Sequence, residues 1–206
     1  ELKDLEILPV ITGCAFYDPS NHTTLNPEVS VVSVDNRAGV QLSIKHLKDI
    51  GKSKIAFIAG PQWHADAYER ELAYIEFIQQ YHKPIVIETA KEEKTWKRGH
   101  CAAQEISHHY NNIDAIIAYD DQIAIGAIKW FIENNVNIPE QIAVIGFDNS
   151  PETETCCPSL SSIEFPLAAI GQKTVDILEA NLYSTNPIER IQITPSLVIR
   201  NSTQSN

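Results

Sequence analysis

The stretch Ile142–Pro166, IAVIGFDNSPETETCCPSLSSIEFP, is the part of this chain whose reading decides the fold. Ile142, Ala143, Val144 and Ile145 form a short apolar run closed by Gly146, the mark of a strand buried on both faces. Its carboxyl end delivers Asp148, followed at once by Asn149, Ser150 and Pro151. A charged residue on the lip of a hydrophobic strand is where open α/β sheets place ligand-contacting groups.

Working outward, the same alternation repeats. Val29–Val34, Lys54–Ala59, Pro84–Glu88, Ile113–Tyr119 and Gln141–Phe147 read as strands. Between them lie helical patterns. The first carries Val40, Ile44, Leu47 and Ile50 on one face and stops at Gly51. The others cover Ala67–Gln80, Thr95–His109 and a segment capped by Asp120 or Asp121 that fades at Asn134-Asn135. Strands alternating with helices at this spacing predict βαβ units, a parallel sheet with helices on both faces, and right-handed crossovers. The tail departs from the pattern. Leu160–Phe165 reads as a short strand, Pro166 opens a long amphipathic helix, and Ile191–Arg200 is extended. This predicts a chain that crosses back into a second lobe: 1–36 with 160–187 in a partial N-terminal lobe, and 37–159 with 188–206 in a C-terminal lobe. Leu8–Gly13 is assigned to the N-terminal lobe, which has too few strands and is expected to need residues before Glu1.

Composition narrows the classes. With 43% hydrophobic and 21% charged residues the chain reads as globular, not disordered. No apolar run approaches the roughly 20 residues that span a bilayer, and no signal peptide is visible. Acidic residues outnumber basic ones 27 to 16, so this chain alone is not expected to grip a phosphate backbone. Cys14, Cys101, Cys156 and Cys157 offer no C-x-x-C spacing, which favours a reducing compartment. His100-Cys101 and His108-His109 do not make a metal spacing either, and no cofactor is expected. The start at Glu1 and the lack of Met suggest a fragment or a processed chain; selenomethionines dropped from the written sequence would also explain the missing Met.

All carboxyl ends of a parallel sheet lie on one edge. Read along that edge, the sequence supplies Asp35 and Asn36, then His64 and Asp66, then Asp120 and Asp121, then Asp148 and Asn149. Arg70 sits about a turn into the helix after His64, placed to lean over the rim, and Trp96 opens the next helix as a possible aromatic wall. Carboxylates accept paired hydrogen bonds from hydroxyls, and a guanidinium donates in a planar fork, so the rim suits a small polyhydroxylated or heterocyclic ligand. Each residue also has a plainer role: Asp35, Asp66 and Asp120 as helix caps, Arg70 as a surface charge or a lobe-internal salt bridge, Trp96 as helix packing. No nucleophile with a neighbouring base, no metal motif and no glycine-rich phosphate loop is present, which argues against an enzyme.

VVSVDNRAGVQLSIKHLKDIGKSKIAFIAG, DAYER, DAIIAYDDQIAIGAI, IPEQIAVIGFDN, PSLSSIEFP and LVIRNST together resemble the lactose-repressor (LacI/GalR) family, in its order and at about its spacing, from Val29 to Thr203. The resemblance implies a type I periplasmic-binding-protein fold, with two α/β lobes around an effector cleft and a homodimer formed through the lobes. Arg70 and Asp148 match family effector positions, and Asp120 matches a position often held by Asn. His64 and Asp66 fall in a variable loop that tunes ligand choice, and Trp96 lies near, but not on, the family's aromatic position. Lys52 stands where the family commonly has His. The helix-turn-helix and hinge of family repressors are absent from the sequence. The expectation is therefore a cytoplasmic regulator core that binds a sugar-like effector and meets DNA only through a missing N-terminal head, without membrane contact. The phrase GPQWHADAYER keeps open a sensing module of a signalling protein, with a free-standing sugar-binding protein as a further alternative.

Overall fold

The computed structural model describes residues 10–13, 17–18, 23–24, 29–88, 95–110, 112–183 and 187–204. Cys14 and the start of the Leu8–Gly13 segment lie outside the described residues. In chain order the elements are β1 (Val10–Thr12), β2 (Tyr17–Asp18), β3 (Thr23–Thr24), β4 (Ser30–Val34), α1 (Asn36–Asp49), β5 (Ile55–Ile58) and α2 (Ala65–Ile78). They continue as β6 (Val86–Ile87), α3 (Thr95–His109), β7 (Ala115–Ala118), α4 (Asp121–Glu133), β8 (Ala143–Asp148) and α5 (Glu152–Thr155). The chain closes with β9 (Ser161–Glu164), α6 (Leu167–Tyr183), β10 (Arg190–Ile193) and β11 (Ser196–Val198).

The larger sheet has the order β11-β9-β8-β7-β5-β6, parallel except for the edge strand β11. Its central strands β5 (IAFI) and β7 (AIIA) are buried at every position, because helices cover both faces and leave no side for polar residues. Val40, Ile44, Leu47 and Tyr74 fill one face; Ile106, Ile123, Ala127 and Phe131 fill the other. The chain runs from β5 to β6 on one side and returns through α3 to β7 on the other. The order therefore reverses beside β5, and at such a reversal an open α/β sheet places its ligand crevice, here at the carboxyl ends of β5 and β7.

The smaller sheet is parallel, with the order β1-β4-β10, and α6 packs Ile170 and Ile177 onto Val32 and Val34. Three short links join the sheets: Asp35, Phe165-Pro166 and Thr194-Pro195. Two of the links run side by side, since the Asp35 amide donates to the Ile193 carbonyl at 2.9 Å.

The predicted lobe boundaries shift at the tail. The segment 161–164, assigned to the smaller lobe, pairs with β8 from Ile145↔Ser161 to Asp148↔Glu164. β10, assigned to the larger lobe, pairs with β4 from Arg190↔Val31 to Ile193↔Val34. Backbone pairing decides where these strands sit. The buried Ser162 hydroxyl also ties β9 inward, donating to Asp121 at 2.6 Å. Among the described residues no helix is long and apolar enough to cross a membrane.

Candidate functional site

Arg70 organises the crevice. Its side chain is 97% covered, and a buried guanidinium must have its donors satisfied. Nε donates to Asn36 Oδ1 at 2.8 Å, Nη1 to the Tyr119 carbonyl at 2.7 Å, and Nη2 to Asp148 Oδ1 at 3.4 Å. Its plane lies 3.5 Å from the centre of the Phe147 ring and 5.2 Å from that of Tyr119, so two aromatic faces add cation–π attraction. One side chain of α2 thereby joins the start of α1 and the carboxyl ends of β7 and β8.

Asn36 carries the network outward, its amide donating to Asp66 Oδ1 at 2.9 Å and to Glu69 Oε2 at 2.8 Å. On the opposite side His64 Nδ1 meets the Tyr119 hydroxyl at 3.3 Å and lies 4.0 Å from Asp66 Oδ2. Tyr119 can lie flat here only because residue 60 is glycine. A Cβ on Gly60 would come within 2.4 Å of the Tyr119 ring.

Carboxylates outnumber cations in this cluster, and their titration reflects it. Burial pushes Asp148 up to about 7; Arg70 opposes this, while Asp121 and Asp120 add to it. Burial also raises Asp120 and Glu69, against hydrogen bonds from the Ile123 amide and from Asn36 respectively. The Asp148 side chain nevertheless keeps 45% of its surface open, so its carboxyl faces the cleft. Its φ of 105° and the 55° of Asn149 lie in the left-handed region, which costs a non-glycine residue energy and is typically retained where a side chain must be aimed.

The residues read from the sequence divide into two groups. Arg70, Asp148, Asp120, His64 and Asp66 gather at the crevice with Asn36. Asp120 also caps α4, accepting from the Ile123 amide at 2.7 Å, so the capping and the functional readings coexist. Trp96 stands elsewhere: it lies on α3 with its ring 5.2 Å from Lys129 Nζ of α4, in an outer groove with His100 and Glu133. Asp121 turns away from the rim and receives the Ser162 hydroxyl and the Ser150 amide at 2.6 and 2.7 Å. Sequence reading missed Tyr119, Phe147 and Glu69 as site residues. Tyr119 and Phe147 sit at strand ends beside Asp120 and Asp148, and their position on that same edge was the available signal.

Two α/β sheets joined by three links around a crevice define the class of two-lobed ligand-binding folds. The chain belongs to the periplasmic binding protein-like domain family, whose pattern matches residues 44–203. The curated relatives it matches are transcriptional regulators of the LacI/GalR type. It is 27% identical over 181 residues to the HTH-type transcriptional regulator MalR of Streptomyces coelicolor, covering 84% of this chain and 52% of that protein. It is 26% identical over 211 residues to the lactose operon repressor of Escherichia coli, covering 98% and 56% respectively. The chain thus spans about half the length of these relatives. Among solved structures, a LacI family transcriptional regulator from Enterococcus faecalis with bound ribose superposes with a TM-score of 0.80 at 25% identity, covering 98% of this chain and 70% of that one.

Proposed function

We propose that this chain is the effector-binding and dimerising core of a LacI/GalR-type transcriptional regulator. A sugar-like molecule would sit at the crevice, accept from the Arg70 fork, and donate hydroxyls to Asp148 and Asp120, with His64 and Asp66 setting which sugar fits. Binding without turnover is all this role requires. Closure of the two lobes on the ligand would change the angle at the three links and so bias a DNA-binding head outside this sequence, in the cytoplasm where its target lies. The observation that carries the reading is the buried Arg70, held by the start of α1 and by the ends of β7 and β8.

Support for a sugar comes from the relatives, whose names include a ribose operon repressor and a lactose operon repressor. Support for a homodimer comes from the outer face of α3 and α4, where Trp96 and Ile132 are open to solvent. Dimers bury such apolar surface. Calorimetry with a panel of pentoses, hexoses and disaccharides tests the cleft. A sugar that binds the parent chain should lose at least tenfold in affinity in Arg70→Ala and in Asp148→Asn. Unchanged affinity in both would remove the site assignment. Light scattering on Ile132→Glu should show monomers if that face carries the dimer.

A further inference from the structure

Behind the hinge, on the side of α1 away from the cleft, lies a groove of about 450 Å³. Ala38 and Leu42 of α1 and Phe77 near the end of α2 make its apolar floor, and Tyr81, in the turn after α2, makes an aromatic wall; Gln41 and Thr194 give it hydrogen-bonding edges. That volume, and a mostly apolar lining with a few polar groups, fall within the range of small-molecule sites. Cations border both aromatic rings: the Arg37 guanidinium lies 4.4 Å from the Phe77 centre, and Lys48 Nζ lies 4.8 Å from that of Tyr81. Arg37 is paired with Glu76 and Lys45 with Asp49. Among the described residues Lys48 has only the Tyr81 ring and the Ser53 carbonyl, so the border carries a net positive charge on a chain whose net charge is -11.

The groove's position in the fold adds a second argument. Thr194 belongs to the link between β10 and β11, and Ala38 lies in the first turn of α1, its amide capped by Asp35 at 2.8 Å. Asp35 is itself a link, bonded to Ile193. An occupant would therefore touch one of the links directly and a second through the α1 cap. The same α1 turn presents Asn36 to Arg70 on its other side.

We infer that this groove is a second small-molecule site, for a flat aromatic anion, that lies across the hinge from the effector cleft. It does not depend on the cleft's being a sugar site, since its lining shares no residue with the cleft.

Anilinonaphthalene sulfonate, an aromatic anion, is a direct probe. Titrated into the full chain, it should bind saturably at one site and slow backbone hydrogen exchange at Asp35–Leu42, Phe77–Tyr81 and Ile193–Thr194. Leu42→Glu places a carboxylate on the floor and should weaken the probe at least tenfold. Tyr81→Ala removes an aromatic wall that is 50% exposed, so the fold should tolerate it, and should weaken the probe similarly. If Leu42→Glu fails to fold, Tyr81→Ala alone decides. Equal affinity in the folded variants, protection confined to Tyr119–Asp121 and Asp148–Ser150, or no saturable binding would overturn the assignment. Arg70→Ala separates the two sites, since it should weaken sugar binding in the cleft at least tenfold and leave the probe's affinity unchanged.

Discussion

Asp148 is the residue where geometry and protonation meet. Its carboxyl is pushed up to about 7, chiefly by burial, so near neutral pH the empty cleft holds it partly protonated. A sugar hydroxyl donates best to the ionised form, and the ligand must then displace a proton. The sign follows directly: affinity should fall as pH drops below about 7, by up to about tenfold per unit, and level off above it. Calorimetry between pH 5.5 and 8.5 (roughly a unit and a half either side of that value) reads this, and Asp148→Asn should flatten the profile as well as lower the affinity. A profile that keeps its slope in the variant would assign the proton to another group, such as Glu69 or Asp120, both raised by burial. Much of this was legible in the sequence, because Asp148 follows an apolar run directly. Its left-handed backbone was not, since nothing in the residue type announces φ of 105°. Trp96 shows the opposite failure. An aromatic residue at a helix start fits a binding wall and a helix–helix contact equally well, and only the crossing of α3 over α4 separates them.

At the scale of elements, that crossing is unusually close. A Cβ on Gly126 of α4 would lie 1.8 Å from the Trp96 carbonyl oxygen of α3, and one on Gly99 of α3 would lie 1.8 Å from that of Ile123. Backbone meets backbone at both glycines, so no side chain can move aside. Gly126→Ala must push the helices apart, and overpacking of this kind costs about 3 kcal/mol. Urea unfolding should show a lower midpoint with an unchanged slope. Asp121, at the start of the same α4, fastens it to β9 and to the loop after β8. Burial lifts its carboxyl from 3.8 to about 6. Between those values the native state therefore holds a proton that the unfolded chain has already lost, so this group's contribution to stability is fully present below about pH 4 and is lost as pH rises through about 6. The decline amounts to about 3 kcal/mol from this group, and Asp121→Asn should remove that slope from a denaturation series. The alternation of strands and helices was readable from apolar runs and caps. The tail was misassigned because β9 and β10 are each four residues long, too short for a pattern to say which sheet they join.

At the scale of the molecule, the three links turn local contacts into a possible motion. Asp35 pairs with Ile193, and one residue later Asn36 accepts from Arg70, which in turn reaches Asp148. A ligand that engages this fork ties the larger sheet's rim to the hinge. If the lobes close on it, two readouts must move together. At a ligand concentration about a hundredfold above Kd, native-state binding adds about 2.7 kcal/mol. For a domain of this size that should raise Tm by roughly 5–10 °C. Small-angle scattering on the same sample should show a smaller radius of gyration. Arg70→Lys keeps the charge but loses the planar fork, which cannot be rebuilt from a single ammonium. That variant should lose most of the Tm rise and the compaction together. A Tm rise without compaction would mean that the ligand binds a cleft that does not close, and the proposed signalling through the angle between the lobes would then fail.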